Sequence, residues 1–292
     1  MVSIITVNYN GYKDTCELID SLRRYETYPY EIIVVDNAST ENEAVRLKAG
    51  YPEIIAVRSD RNLGFAGGNN EGYRYATGEY ILYMNNDTEI KAPFLEALVD
   101  RFVSAGNAGA VSPKIKFAYA PETIQYAGFT PMSSVSLRNR RIGDHEKDTG
   151  QYNTACETAF VHGACMLTSR SVLEKAGLMT AVYFLFYEEL DWSNQLRRAG
   201  YTIWYEPAAT IYHKESKSVK KKSPVKYYYL TRARILYARR NRTGLKKLLS
   251  CLYLSSVVFP KNLLSAVMHN RPEMVKAYTC GTWHGLIDKK AE

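Results

Sequence analysis

The chain has 292 residues, of which 46% are hydrophobic and 23% charged, so it is ordinary globular material: one large α/β domain with room for a C-terminal extension. Its five cysteines are odd in number and form no C-x-x-C pair, which argues against a zinc site and a full disulfide framework and fits a reducing compartment. A formal charge of +8 calls for an anionic partner, whether nucleotide, nucleic acid or membrane surface.

The chain opens on Val2-Ser3-Ile4-Ile5-Thr6-Val7, which has no basic n-region or cleavage site and reads as a strand, so a cytoplasmic protein is expected. After Asn10-Gly11 a helix should bury Leu18, Ile19 and Leu22, followed by strand Glu31 to Val35 ending at Asp36. Helix 41–49, strand Ile54 to Val57, helix 65–76 with Gly78 just past its end, and strand Tyr80 to Met84 continue the alternation. Strands and helices taking turns in this way predict a Rossmann-like, mostly parallel sheet.

Past Asn85-Asn86-Asp87 the pattern becomes less regular. A helix is expected from about Pro93 to Ser104, then shorter strands up to Leu167, a helix from Ser171 to Ala176, and an aromatic run Tyr183-Phe184-Leu185-Phe186-Tyr187. An acidic helix from Glu188 to Ala199 follows, closed by Gly200, and then a strand pair around Ile203 and Ile211.

The excess positive charge lies C-terminal, in Lys214, Lys217, Lys220, Lys221, Lys222, Lys226 and the bases that continue to Lys247. Beyond Ser223-Pro224 comes a basic, Tyr-rich helical stretch and an apolar run from Leu248 to Phe259, broken by Pro260-Lys261. That run falls short of the roughly 20 apolar residues a spanning helix needs; it either lies in a bilayer interface or packs on the domain. The tail holds no recognised nucleic-acid-binding motif, so nucleic acid is not an expected partner.

Ligands in an open parallel sheet bind at the carboxyl ends of strands, and three polar clusters fall there: Asn8-Tyr9-Asn10, Asp36-Asn37-Ala38-Ser39 and Asn85-Asn86-Asp87. Each alone would serve equally as a turn or helix cap. Asp87 offers carboxylate oxygen to Mg²⁺ or Mn²⁺, which would neutralise a departing diphosphate. The glycines of Asn62-Leu63-Gly64-Phe65-Ala66-Gly67-Gly68-Asn69-Asn70 would let backbone approach a nucleotide closely, although neither a dinucleotide fingerprint nor a P-loop occurs. Glu188, Glu189 and Asp191 either suit a helix dipole or supply the general base an acceptor hydroxyl needs. His213, at the end of Thr210-Ile211-Tyr212, is either structural or a ligand for metal or phosphate.

Taken in order, Ile4 to Asn10, Ile33 to Ser39, Asn62 to Asn70, Asn85-Asn86-Asp87, Phe186 to Trp192, Ala199-Gly200-Tyr201 and the Pro207 to His213 tract resemble the family-2 glycosyltransferases, in particular their rhamnosyltransferase-like branch. The resemblance covers about residues 2–218. It implies a GT-A transferase domain over 1–218, with a nucleotide-sugar half (1–90) and an acceptor half (91–218), and a helical extension over 219–292. An inverting single displacement is implied, from a nucleotide-diphosphate sugar such as dTDP-rhamnose or a UDP-sugar to a hydroxyl of a glycan or lipid-linked glycan; separately, the basic, Tyr-rich and apolar tail from about Lys214 suggests an anionic membrane surface on the cytoplasmic face as a further partner.

Carried over by position, Thr6, Asn8, Asn10, Asp36, Asn62, Gly64, Asn69, Asn85 and Asn86 form the donor-binding set, with Asp36 on the nucleobase or ribose. Asp87 and His213 hold the divalent metal, Mg²⁺ or Mn²⁺, and the diphosphate. The base lies in Glu188-Glu189, with Asp191 beside it; Glu189 is favoured because it takes the second position. Relatives commonly carry Glu-Asp or Asp-Asp there, and the acid often found before the aromatic run is missing from Gly177 to Ala181. A sugar nucleotidyltransferase and a non-catalytic nucleotide- or membrane-binding module are the rival readings, and the oligomeric state is open.

Overall fold

Strand β1 (Val2–Asn8) is buried along nearly its whole length, as a parallel strand covered by helices on both faces must be. In the computed structural model, which describes residues 1–215 and 223–288, β1 pairs in parallel with β2 (Tyr30–Asp36), which carries β3 (Ile55–Arg58) on its far side, and with β4 (Tyr80–Met84). Helices α1 (Tyr12–Tyr25), α2 (Glu43–Gly50) and α3 (Gly64–Tyr73) make the crossovers. Lys217, Lys220, Lys221 and Lys222, and the expected boundary at residue 218, lie outside the described residues.

The second half adds β5 (Thr88–Glu89), α4 (Leu95–Ser104), β6 (Ala108–Phe117), β7 (Ala120–Tyr126), β8 (Cys156–Glu157), β9 (Cys165–Ser169), α5 (Arg170–Ala176), α6 (Glu188–Arg198) and β10 (Thr202–His213). Among the described residues one sheet runs β3-β2-β1-β4-β9-β6-β10-β5, with β7 on β6 and β8 on β10. The strand order reverses between β1 and β4, so a crevice opens at their carboxyl ends. Residues alternate across β1: Val2 and Ile4 pack with Leu18, Leu22, Phe94 and Leu98, while Ile5 packs with Ile33, Ala66, Trp192 and Leu196 on the other face.

Three sequence expectations change. The strand pair around Ile203 and Ile211 is one strand, β10, whose register on β6 slips between Glu206 and Thr210, where Pro207 interrupts the ladder. The glycines of α3 face protein: a Cβ on Gly72 would lie 2.4 Å from Ile5 Cγ2, and one on Gly68 2.9 Å from both methyls of Val7. They allow α3 to lie close on β1 rather than bringing backbone to a nucleotide.

The third change is C-terminal. α7 (Pro224–Asn241), capped by Ser223 accepting from the Lys226 amide, leads to α8 (Gly244–Tyr253), a π-helical turn (Leu254–Val258) and α9 (Phe259–Met268). Pro260 does not break this helix, because the wider π-helical turn just before it absorbs the lost i→i−4 bond. Gly244–Met268 is thus one helix of 25 residues, long and apolar enough by length and composition to cross a membrane. It nevertheless packs on α7 and on α10 (Pro272–Ile287), while Leu248, Leu252, Val257 and Leu264 stay exposed.

α7 in turn seals α6. Leu236, Tyr237 and Ala238 pack with Phe160, Tyr183 and Leu190, and the Asn194 amide donates to the Tyr237 hydroxyl at 2.6 Å.

Candidate active site

The pairing of β10 with β5 sets His213 opposite Thr88, next to Asp87, and the Lys214 amide donates to the Asp87 carbonyl at 2.9 Å. His213 Nε2 consequently stands 3.1 Å from Asp87 Oδ1. The other ring nitrogen, Nδ1, lies 2.8 Å from Oε1 of the buried Gln125. An amide oxygen only accepts, so Nδ1 donates to Gln125 and Nε2 is the nitrogen turned toward the carboxylate. Nε2 is buried and makes no aligned hydrogen bond. Two electron-rich atoms held this way suit a divalent cation, with diphosphate oxygens and water completing its shell. Among the described residues no cluster of three or more His, Cys, Asp or Glu side chains forms a metal cage.

His162 links this end of the site to the acidic helix. Its ring meets the His213 ring edge-on at 6.2 Å and stacks on Phe129. Burial, with His213 a lesser cause, holds the His162 imidazole well below its usual range, so it is neutral. In the turn that follows, the Ala164 carbonyl accepts from the Asn85 amide at 3.0 Å, and a Cβ on Gly163 would lie 3.9 Å from the Glu189 carboxylate carbon. Four residues thus span from the Asn85-Asn86-Asp87 turn to Glu189.

The two glutamates differ. Glu188 is 1% exposed, its Oε1 has no hydrogen-bond partner, and burial, then the charge of Glu189, pushes its carboxyl well above the usual range. Glu189 is half-buried and burial raises it to about 7, the value of a carboxylate able to take a proton near neutrality. Upstream, Phe184, Phe186 and Tyr187 all hold left-handed backbone, with φ of 69°, 70° and 73°. Bulky residues avoid that region, and strain of this kind concentrates at functional sites. Gly64, itself at φ +73°, abuts the run: a Cβ there would sit 2.2 Å from the Phe184 carbonyl.

Several expected site residues are turned inward. Asp36 is fully buried; it accepts from the amides of Ser39, Glu43 and Ala44 and pairs with Arg58 at 2.7 Å, so it shapes the loop after β2 and does not face the crevice. Asn8, also buried, accepts from Thr15 and donates to Glu43 and Ser39. Asn86 donates to Thr15 Oγ1 at 3.0 Å, and Asn69 to the Phe65 carbonyl one turn back. Asn62 accepts from the Gly64 amide and from Asn37. Thr6 is buried with its hydroxyl unpartnered. Asn10 is exposed and accepts from the Thr40 amide, joining the loops after β1 and β2. Asn85 is half-buried at the crevice.

Asp191 is removed from the reacting side altogether. It is fully buried, paired with Arg240 at 3.4 Å and bonded to the Asn241 amide, which ties α6 to α7. The corrections share one cause: Asn and Asp at a strand end look alike in sequence whether they cap a loop or face a ligand. Sequence reasoning missed Gln125, His162 and Arg58, and only the partners reveal them; Gln125 lies 88 positions from His213.

The family model described as glycosyl transferase family 2 matches residues 3–177. The chain belongs to this family. A low-salt glycan biosynthesis hexosyltransferase of Haloferax volcanii is 29% identical over 69% of this chain, which spans 63% of that protein. A dTDP-rhamnosyl transferase of Shigella flexneri is 25% identical over 97% of this chain and 94% of its own length. Among solved structures, a mannosyltransferase of Pyrobaculum calidifontis in complex with GDP-Man and Mn²⁺ superposes with a TM-score of 0.59 at 17% identity, over 99% of this chain and 87% of that one. GalNAc-T7 with UDP, GalNAc and Mn²⁺ superposes with a TM-score of 0.62 at 15% identity, over 87% and 53%. The likeness establishes the GT-A fold, with C-terminal helices added, for this family-2 chain.

Proposed function

We propose that the chain transfers a sugar, with inversion, from a nucleotide-diphosphate donor to a hydroxyl of a glycan or lipid-linked glycan in polysaccharide biosynthesis. The donor is a deoxyhexose nucleotide such as dTDP-rhamnose, or a UDP-sugar. The observation that supports the reading is the pairing of His213 Nε2 with Asp87 Oδ1 after β4, with the Gly163-Ala164 turn touching both the Asn85 amide of that loop and the neighbourhood of Glu189.

Asp87 and His213 Nε2 would hold Mg²⁺ or Mn²⁺, which when bound neutralises charge on the leaving diphosphate. Gln125 fixes the histidine tautomer for that task. Glu189 takes the proton of the acceptor hydroxyl as its oxygen bonds to the anomeric carbon on the face opposite the leaving diphosphate, and Glu188 stays protonated beneath it. Asp36, with Arg58, positions the loop after β2 against the nucleoside. We further place residues 1–218 as the transferase domain and 219–292 as an extension that docks on the cytoplasmic face of an anionic membrane, through Lys246, Lys247, Lys261 and the exposed leucines of Gly244–Met268.

The test is a thermal-shift screen of UDP-, GDP- and dTDP-sugars with and without Mg²⁺ or Mn²⁺. A ligand at a hundred times its Kd stabilises by about 2.7 kcal/mol, well within detection. A metal-dependent shift restricted to one nucleotide family supports the reading, and folded protein that binds none of them overturns it.

A further inference from the structure

Phe184, Phe186 and Tyr187 hold left-handed backbone just before Glu188 and Glu189, so the acidic pair is presented by a loop whose conformation its own residues disfavour. Such backbone persists only where its surroundings over-determine it. Two consecutive carbonyls of this loop are held, each by a different part of the chain. The Phe65 amide, at the start of α3, donates to the Phe184 carbonyl at 2.9 Å. Nη1 of Arg232, in α7, donates to the Tyr183 carbonyl at 3.0 Å. One turn before Arg232 on the same face of α7, the Tyr229 ring stacks on Phe184 at 4.9 Å with the planes 22° apart.

Arg232 is itself held in place. Its side chain is only 12% exposed, and Nη2 pairs with Asp288, just past the end of α10. That approach depends on two glycines one turn apart: a Cβ on Gly281 would lie 2.7 Å from the Tyr228 carbonyl, and one on Gly285 3.1 Å from the Arg232 carbonyl. They let α10 lie directly on α7, and Arg239 closes the end by donating to the Gly285 and Asp288 carbonyls at 3.0 and 2.8 Å. A planar guanidinium can serve a carboxylate and a carbonyl at once in fixed geometry, which an ammonium on a flexible stem cannot.

The direction of the loop matters because Tyr187, with φ of 73°, leads into α6, and Glu189 lies in the first turn of that helix. A general base must come within hydrogen-bond reach of the proton it takes, and a misplacement of about 1 Å can cost roughly 100-fold in rate. Burial is the leading cause of the raised Glu189 carboxyl, and Glu188 and Tyr187 lie close enough to feel its charge.

We propose that Arg232 is a positioning residue for sugar transfer: by holding the Tyr183 carbonyl it fixes the aromatic loop, and through it the direction in which Glu189 presents its carboxylate to the acceptor hydroxyl. The inference rests on the reading of Glu189 as the base, and it gives the α7–α10 pair a part in the chemistry from a distance.

Arg232→Met keeps the apolar stem and removes both donors. With dTDP-rhamnose as donor and water standing in for the acceptor, it should lower kcat by about 10- to 100-fold with the donor KM nearly unchanged. Arg232→Lys, which reaches one partner but not both, should recover part of the rate. On a Glu189→Gln background Arg232→Met should cost little more, because the two act through one group. A second readout needs no turnover: in protein labelled with ¹³C at glutamate carboxyls, the signal lost in Glu189→Gln should titrate at about 7 in the wild type and lower in Arg232→Met, since a loosened loop admits water. Wild-type kcat in Arg232→Met, additive losses in the double variant, or an unmoved carboxyl titration overturns the proposal, and if this donor is not turned over the titration alone decides. A wild-type rate in Glu189→Gln removes the base and this role with it, whereas wild-type behaviour confined to Arg232→Met sinks the positioning role alone.

Discussion

His213 presents Nε2 to Oδ1 of Asp87 at 3.1 Å while Gln125 holds its Nδ1 at 2.8 Å, so one buried amide sets which nitrogen of the ring faces the carboxylate.

Asp87→Asn should abolish transfer in a protein that still folds, and the metal-dependent part of the nucleotide thermal shift should vanish with it. Gln125→Leu removes only the ring's anchor, and should weaken metal affinity by roughly 10- to 100-fold as an outer-shell loss does. Metal titration by calorimetry separates the two; unchanged affinity in both variants would remove Asp87 and His213 from the metal site.

Glu189→Gln should lower kcat by about 10²- to 10⁴-fold with donor affinity nearly unchanged, and Glu188→Gln should do much less. The wild-type rate should climb through pH of about 7, because Glu189 acts only when deprotonated and burial lifts it to that value. The stability sign is opposite. A carboxyl raised in the folded state favours folding while protonated, and that contribution fades as pH rises from the ordinary value of 4.5 through about 7. Denaturation curves of wild type and Glu189→Gln across that window check it.

Gly64→Ala forces a Cβ against the Phe184 carbonyl at a positive φ. A loss of roughly 1–3 kcal/mol of stability is expected. Turnover should fall as well, since the displaced aromatic run leads straight into Glu188-Glu189. Urea denaturation and kcat measured together would show it; a fully active, fully stable variant would mean that the close approach has no role.

Replacing Lys246, Lys247 and Lys261 with Glu should release the protein from anionic liposomes in a flotation assay, each lost base costing about 1 kcal/mol. Wild-type flotation should weaken with salt. If wild type stays soluble at low salt, the exposed leucines of the Gly244–Met268 helix serve another contact.

Much of the fold was legible because parallel strands such as Tyr80–Met84 read as unbroken apolar runs and α1 carries Leu18, Ile19 and Leu22 on one face. β10 was not, since a bulged strand and two short strands give the same pattern around Pro207. Nor was the passage of a helix through Pro260, which depends on a π-helical turn that no residue type announces. At the site, Asp87, His213 and the acidic pair stood out by chemistry and position. Asp36, Asn8 and Asn86 stood out equally, yet they answer to Arg58, Glu43 and Thr15, partners that no local reading supplies.

The buried contact of Asp191 with Arg240 and Asn241 carries a consequence for inheritance. The matched family region ends at residue 177, so both the acid and its counter-ion lie beyond it. A change at 191 leaves the half-buried Arg240 without its carboxylate, and a change at 240 strands the fully buried anion, so the two positions should vary together across descendants. Exchanging the C-terminal helices between relatives would then succeed only when the donor of the graft brings a matching cation.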